Sequence, residues 1–341
     1  MAGYMNNYHS YRGKTPKWKV LLAVVLVLVI IASLAFIRLQ NYIIYDESGT
    51  PHLWLPEKET ESVAASQPPA DLVVEEVPEP EVVTVEYLAA APVQTEAQAQ
   101  ELLTAARKCD GIILPLKGEE GLIYFRCASA VSGSVQASDE TAQAIAAVVS
   151  SESHTAARLT CFLDPKATRM DARGMALLNK SGYLFYDGSN RCWLDPGKEK
   201  ARTYLCSLAA EAAQLGFDEL IFANVGYPTA GNLENIRYGE TAAEENLTAF
   251  LQELTAALEP YGTALTIEMS AEGILSGSEG ELPVSLAAEF ASRIAAEVES
   301  EADIEALSAA VAAANGETVF VPILTQAPTT YQGSYILRQT A

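Results

Sequence analysis

Residues 215–228, LGFDELIFANVGYP, decide the fold of this chain. They read as the end of a helix, a glycine stop at Gly216, and a buried strand, ELIFANV, that runs into a turn at Tyr227 and Pro228. A strand that follows a helix and ends in a polar loop is typical of an α/β barrel, whose working face lies at the C-terminal ends of its strands. The segment therefore predicts an α/β protein with a (β/α)8, TIM-barrel-like architecture.

Helix and strand patterns alternate on both sides of this segment. Further strands are predicted at 111–116, 158–163, 263–269 and 318–324, and helices at 138–149, 198–215, 241–258, 284–298 and 303–315. The 241 residues from Glu101 to Ala341 match the usual size of a (β/α)8 barrel. Because only five strands are evident, the sequence leaves open whether the barrel is complete or incomplete.

The N-terminal part of the chain has the composition of an anchor and a spacer. Residues 20–37, from Val20 to Ile37, hold 18 residues without a charge, and such a helix spans about 27 Å. Four basic residues precede it, which predicts a cytoplasmic tail (1–19), a single-pass transmembrane helix and an extracytoplasmic remainder. A cleaved signal peptide is the alternative. Residues 38–100, rich in Pro and Glu, predict a disordered linker before a barrel domain at 101–341.

Charge and motif content exclude several functions. Beyond residue 45 the chain has 17 basic and 44 acidic side chains, a net charge of −27, which predicts no nucleic-acid binding. The acid excess is typical of a soluble surface, and attraction to cations or to a cationic wall component is the alternative. His9, His52 and His154 offer no pair for zinc, and there is no glycine-rich phosphate loop. The sequence therefore predicts no metal and no cofactor.

The segment at 215–228 also resembles a strand of the glycoside-hydrolase domain family of bacterial surface proteins. In that family the strand reads Gly-Phe-Asp-Glu-Ile and continues as Phe-Asp-Tyr-Val-Arg-Phe-Pro. The family's carboxylate falls on Ala223, its aromatic residue on Asn224 and its arginine on Gly226. The positions that match are Gly216, Phe217, Asp218, Glu219, Phe222, Val225 and Pro228. The chain therefore looks like a divergent member that keeps the scaffold and loses acidic site residues.

Four further stretches are similar to the same family, in the family's order and spacing, and together they extend over residues 109–271. An aspartate of the family's first strand falls on Pro115, and Glu268 stands where the family usually has Asp. The other matching site positions are Lys117, Arg158, Asp164, Trp193 and Asp195. The resemblance implies a barrel with a carbohydrate site at its C-terminal face.

Glycoside hydrolysis usually needs two carboxyl groups, one to protonate the leaving oxygen and one to act as nucleophile or base. Since Ala223 and Pro115 cannot transfer a proton, the candidate catalytic pair is Glu268 and Asp164. The structural alternative is that Asp164 caps the turn before Pro165 and that Glu268 bonds a neighbouring arginine. The candidate substrate-binding residues are Lys117, Arg158, Trp193, Asp195, Asn224 and Tyr227.

Two functions follow from these patterns. The first is a membrane-anchored, extracytoplasmic glycoside-hydrolase-like protein that acts on or binds a cell-wall or surface polysaccharide, or peptidoglycan. The second is a pseudoenzyme, a catalytically inactive carbohydrate-binding or protein-interaction module on a membrane stalk. The loss of acid at Ala223 leaves the choice between them open.

Overall fold

A computed structural model describes residues 85–339 and the backbone of two short strands, Ile43–Tyr45 and Pro51–Leu53. The chain divides into two compact units, Met1–Glu75 and Glu76–Ala341, and the two short strands pair antiparallel within the first. No helix among the described residues has the length and hydropathy needed to cross a membrane. The anchor predicted at 20–37 and most of the predicted linker lie outside the described residues.

Eight parallel strands of the second unit close into a barrel, which confirms the predicted TIM-barrel-like fold and shows that the barrel is complete. Each strand pairs with its neighbours in sequence, and β8 pairs with β1. The strands are β1 (Val85–Leu88), β2 (Gly111–Lys117), β3 (His154–Thr160), β4 (Glu219–Ala223), β5 (Ala264–Glu268), β6 (Arg293–Glu297), β7 (Val319–Leu324) and β8 (Tyr335–Arg338).

Helices occupy the connections between these strands, except the one from β7 to β8, which is a loop. They are α1 (Glu96–Ala105), α2 (Asp139–Val149), α3 (Pro165–Met170), α4 (Glu199–Ala213), α5 (Ala243–Leu258), α6 (Ala271–Ser276), α7 (Val284–Phe290) and α8 (Ile304–Ala314). Short 3-10 turns lie at Ala106–Lys108, Leu233–Asn235, Glu259–Tyr261 and Glu301–Asp303. A two-stranded hairpin, Ser278–Glu279 with Leu282–Pro283, separates α6 from α7.

Three strands escape detection in the sequence, and two expectations are corrected as a result. β1 and β8 have four residues each, too few to display a clear alternation of apolar and polar side chains. The region expected as one helix at 284–298 is α7 followed by β6, whose sequence, RIAAE, has no strong preference for either state. Since β1 starts at Val85, the barrel begins ahead of the boundary expected at Glu101.

The barrel interior consists of an apolar middle layer between two ionic ends. Side chains alternate along each strand, so every second residue faces inward. The middle layer is formed by Leu88, Ile113, Ala156, Ile221, Ala295, Val321, Ile323 and Ile336. A larger apolar core lies between the strands and the surrounding helices. Buried charges therefore lie at both ends of the barrel. The charges at each end must be neutralised by partners at the same end, because the apolar layer separates the two groups.

At the N-terminal ends of the strands, four charged or titratable side chains form what we call the basal cluster: Glu86, His154, Glu219 and Arg293. Arg293 Nη1 donates to Glu86 Oε1 over 2.5 Å and to Glu219 Oε2 over 2.7 Å. His154 Nε2 lies 3.0 Å from the same oxygen of Glu219, and this hydrogen bond raises the pKa of His154. Burial raises the pKa of Glu86 despite the opposing charge of Arg293. The cluster is a compact buried ion network.

The basal cluster also contains the donor types of a metal site, which the sequence did not suggest. The ligand atoms of Glu86, His154 and Glu219 all lie within 4.8 Å of one another. The guanidinium of Arg293 already bridges the two carboxylates and supplies the positive charge that a cation would bring. The grouping is therefore best explained as a structural network.

Candidate functional site

The C-terminal ends of the strands form the second ionic layer. Some of the site residues predicted from the sequence lie in this layer, and others lie outside it. Arg158 on β3, Ala223 on β4 and Glu268 on β5 have the inward parity of their strands. Thr160 is in register with Ala223, and Ala223 with Glu268, so the three strands meet side by side at this end. In a (β/α)8 barrel this is the face on which active sites are built.

Arg158 on β3 and Glu268 on β5 form a bidentate ion pair that passes over the intervening strand β4. The Arg158 Nε atom donates to Glu268 Oε2 over 2.6 Å, and Nη2 donates to Oε1 over 2.8 Å. Burial alone would lower the pKa of Arg158, but the hydrogen bonds and the charge of Glu268 raise it. Ala223, on the strand between them, has only a methyl side chain, which forms no polar contact with either group. The contact expected from the structural alternative, a bond between Glu268 and a neighbouring arginine, is therefore present, and it holds the Glu268 carboxyl group in one orientation.

Asp164 lies outside the mouth of the barrel in a fully buried position, 0% exposed. Its Oδ1 atom accepts from the N–H groups of Lys166 and Ala167, so it caps α3, and its Oδ2 lies 3.1 Å from Lys117 Nζ. Gly121 covers Asp164 so closely that a Cβ atom there would collide with Oδ1. Asp164 therefore has the structural role considered as the alternative to catalysis, the cap before Pro165, and Lys117 is its buried ion-pair partner.

A cleft with two joined lobes opens at the mouth of the barrel. The inner lobe has a volume of about 90 Å³ and the outer lobe about 290 Å³. Asn224, Glu268, Met269 and Glu279 line both lobes, so they stand at the junction. A concave site with a few convergent polar groups is the usual form of a small-molecule or glycan site. We call this the mouth cleft.

The predicted aromatic residues reach the inner lobe of the mouth cleft. Trp193 and Tyr227 both line it, and both are largely buried. The Trp193 indole donates to Asp187 Oδ2 over 3.0 Å, and Asn246 donates to the Tyr227 hydroxyl over 3.2 Å. The two rings therefore have fixed orientations. Asp195 does not line either lobe; its Oδ1 accepts from the Gly197 N–H in the turn before α4.

Asn224, the first residue after β4, has an unsatisfied polar atom at the junction of the two lobes. Its backbone adopts a left-handed conformation with φ of 55°, which Asn tolerates better than most residues. Its Oδ1 atom is buried and has no hydrogen-bond partner in the described part of the chain. A buried polar atom of this kind costs free energy unless a ligand or water completes it. Asn224 is therefore a candidate ligand-binding residue.

Sequence reasoning missed Glu279, which comes from the hairpin between α6 and α7. The surrounding residues 276–283, SGSEGELP, are rich in turn-forming types. They have no periodic pattern from which the position of the carboxylate at the barrel mouth could be predicted. Only the folded chain brings it beside Glu268 in the mouth cleft. A charged residue next to Gly280 in a turn-rich stretch was the one available signal, and it is not specific.

Three other acids at the mouth cleft are paired with arginines. Arg191 donates to Glu119 over 2.5 Å and to Asp187 over 3.1 Å, while Arg338 binds Glu297. Glu297 was hidden from sequence reasoning because its strand, β6, was expected to be helical. These pairs leave Glu279 as the cleft-lining carboxylate that forms no ion pair within residues 85–339.

Comparison with protein families gives one match. A family model described as "Putative glycosyl hydrolase domain" matches residues 86–279, which is more than half of the chain. The matched range starts in β1 and ends at Glu279, so it includes the strands that carry Arg158, Ala223 and Glu268. Among curated proteins no sequence matches significantly.

Two of three similar solved structures reach a TM-score of 0.50 and share the fold. The glycoside hydrolase domain of PgaB (BpsB) from Bordetella bronchiseptica has a TM-score of 0.55 at 12% identity, over 76% of this chain and 94% of that domain. A cycloisomaltooligosaccharide glucanotransferase from Paenibacillus sp. has a TM-score of 0.50 at 15% identity, over 70% of this chain and 38% of that enzyme. A hypothetical protein from Ruminiclostridium thermocellum is 22% identical over 53% of this chain and 95% of its own length, with a TM-score of 0.46.

Proposed function

We propose that this chain, which belongs to the family described as "Putative glycosyl hydrolase domain", binds a polysaccharide chain in the mouth cleft. The observation that carries the proposal is the junction of the two lobes, where Asn224, Glu268 and Glu279 converge. Sugar hydroxyls are both donors and acceptors, so they can satisfy carboxylate and amide oxygens in one site. The position at the C-terminal ends of the strands is the one that barrel enzymes use.

The inner lobe supports this proposal through its aromatic wall. Trp193 and Tyr227 line it, and aromatic faces pack well against the apolar face of a sugar ring. Their polar ends are already engaged by Asp187 and Asn246, so the rings are presented in fixed positions at little entropic cost. A glycan is the ligand class that needs both an apolar platform and several hydrogen-bond partners.

Replacing Asn224 by Gly tests the proposed glycan site. The change removes the unsatisfied Oδ1 atom and suits the left-handed backbone at this position. We expect the full chain to bind a polysaccharide on a glycan array and the variant to bind it roughly 3- to 10-fold more weakly, as for the loss of one hydrogen bond. Leu233→Ala, at an exposed residue outside the cleft, is the control and should leave the affinity unchanged. Equal binding by wild type and N224G would remove Asn224 from the site, and no binding to any glycan would contradict the proposal.

We also propose that residues 20–37 hold the barrel at the outer surface of the cell membrane. The proposal stands on the uncharged 18-residue run and the four basic residues before it. The full chain in a bacterial host should sediment with membranes, and protease added to spheroplasts should digest the barrel. A chain with residues 20–37 deleted should be found in the soluble fraction. A protease-protected barrel would contradict this topology, and a mature chain that starts after residue 37 would indicate a cleaved signal peptide instead.

Binding of the glycan is either coupled to its cleavage or occurs without turnover, and binding without turnover is the second candidate function. The observation in its favour is Ala223, which places a methyl group between Arg158 and Glu268 at the end of β4. Such a protein would bind the polysaccharide through the same cleft and release it unchanged. Product analysis on any glycan that binds the full chain separates the two functions.

A further inference from the structure

The hairpin that carries Glu279 is held against the mouth of the barrel by direct backbone contact. The N–H of Tyr227 donates to the carbonyl oxygen of Gly280 over 2.7 Å. A Cβ atom on Gly226 would lie 2.6 Å from that oxygen, and a Cβ atom on Gly280 would collide with the Tyr227 carbonyl. Both glycines also have positive φ angles, 151° and 54°. The loop after β4 and the hairpin therefore meet at a distance that only glycines allow.

The Glu279 side chain is positioned just as closely. Its Oε2 atom accepts from the Ser270 N–H over 2.5 Å. A Cβ atom on Gly273 would lie 2.7 Å from the Glu279 Cβ, so the absence of a side chain at Gly273 makes room for the carboxylate. Since Glu279 lines both lobes of the mouth cleft, its carboxyl group is within reach of a ligand bound there. Glu279 is thus fixed by its neighbours in one orientation at the junction of the lobes.

Glu268 and Glu279 have opposite electrostatic environments. Glu268 is held by two hydrogen bonds from the Arg158 guanidinium, whereas Glu279 forms no ion pair within residues 85–339. Burial raises the pKa of Glu279, and the negative charge of Glu268 raises it further, against the hydrogen bonds from Ser270. Two neighbouring carboxyl groups, one paired with a guanidinium and one without an ion pair, are suited to different roles in one reaction.

We infer that Glu279 is the proton donor of a glycoside-cleaving site and that Glu268 is its nucleophilic partner. The inference rests on the proposed glycan-binding function and adds a reaction to it. It also explains how a barrel with Ala223 at the end of β4 can keep two carboxyl groups at its mouth. The second acid comes from the hairpin instead of from that strand.

The reaction follows the two-step course open to such a pair. Protonated Glu279 gives its proton to the glycosidic oxygen as the bond from that oxygen to C1 breaks, and the bonding electrons stay on the leaving oxygen. A Glu268 oxygen attacks C1 and forms a glycosyl ester. Glu279, now a carboxylate, removes a proton from water, and the hydroxide oxygen attacks C1 and releases Glu268. The products are an alcohol and a hemiacetal, and both carboxyl groups return to their starting states.

The test compares the full chain with Glu279→Gln on paired phenyl and dinitrophenyl glycosides of common hexoses and aminohexoses in both anomeric forms. A phenyl leaving group needs a proton, whereas a dinitrophenyl group leaves without one. We expect E279Q to cleave the phenyl glycoside about 100- to 10,000-fold more slowly than wild type. Both comparisons use kcat/KM, which reports the steps up to formation of the glycosyl ester, because the second step also needs Glu279 as its base. By this measure, cleavage of the dinitrophenyl glycoside should stay within about 10-fold of wild type. The fall in wild-type rate at high pH, as Glu279 loses its proton, should be absent in the variant.

Glu281→Gln is the matched control because it removes the same charge from the same hairpin at an exposed position. It should cleave both substrates at wild-type rates. Glu268→Gln should lose both reactions, since the nucleophile is needed whatever the leaving group. Equal losses of kcat/KM for both substrates in E279Q, or no loss, would overturn the proton-donor role. Thermal unfolding of each variant shows whether it is folded.

The outcomes also separate this inference from the function on which it rests. If the full chain binds a polysaccharide but cleaves neither that glycan nor any aryl glycoside of the panel, the proton-donor inference fails while the glycan-binding function stands. If it binds no glycan and cleaves no aryl glycoside, both fail.

Discussion

Arg293→Met lowers the free energy of unfolding by about 3–5 kcal/mol, the usual cost of removing one partner from a buried ion network. Arg293 is the guanidinium that bridges Glu86 and Glu219 in the basal cluster, and both carboxylates are almost fully buried. Without it, the basal end of the barrel holds two acids with only His154 to offset them. Urea denaturation followed by circular dichroism measures the loss, and the melting temperature should fall by roughly 10 °C.

The control for this prediction is Arg126→Met. Arg126 pairs with Asp139 on the surface, where both side chains are more than half exposed, so its loss should cost less than about 1 kcal/mol. Adding Glu86→Gln to R293M should recover part of the stability, because one of the two uncompensated charges disappears. An R293M protein as stable as the wild type would mean that the carboxylates are solvated or neutral in the folded barrel.

Lys117→Met is the second variant with a large expected effect. Lys117 and Asp164 are both buried, with Nζ 3.1 Å from Oδ2, and the change leaves Asp164 without a cation. We expect a loss of about 3–5 kcal/mol, again measured by urea denaturation. Glycan binding by the folded fraction should be unchanged, because neither side chain lines the mouth cleft.

A double-mutant cycle with Asp164→Asn shows whether the pair acts as a unit. The amide oxygen of Asn can still accept from the N–H groups that cap α3, so D164N removes the charge and keeps the cap. K117M combined with D164N should cost less than either single change, because no unpaired charge remains. Additive losses would contradict the buried ion pair. Loss of glycan binding in a stable double variant would return Asp164 to the site.

The candidate site was only partly predictable from the sequence. Glu268 stands at a strand end that the pattern located. Arg158 was expected at the start of a strand at 158–163, but the strand runs from His154 to Thr160, and this shift brings Arg158 to the barrel mouth beside Glu268. Asp164 was equally well located in sequence, yet it turns away from the cleft, because helix capping and Lys117 offer it better partners there. Strand position fixes which end of the barrel a residue occupies. It does not fix whether its side chain faces a ligand or its own backbone.

The position of Glu279 at the barrel mouth could not be predicted from the strand pattern, for a different reason. Its place depends on contacts between two loops, through Gly226 and Gly280, which lie far apart in the chain. Loop positions follow from steric fit between segments and leave no periodic trace in the sequence. The same holds for the basal cluster, where His154 has no other histidine nearby in sequence but meets two acids in space.

The α/β barrel could be predicted from the sequence alone, because buried elements leave apolar patterns that are continuous in strands such as 219–223 and periodic in the helices beside them. The sequence also determined that the family's strand-end acid is absent at Ala223. The tertiary structure alone decided that eight strands close, that Asp164 is buried under Gly121, and that Glu279 stands beside Glu268. Periodicity is a local property of the chain, whereas closure, burial and the meeting of two loops depend on segments that are distant in sequence.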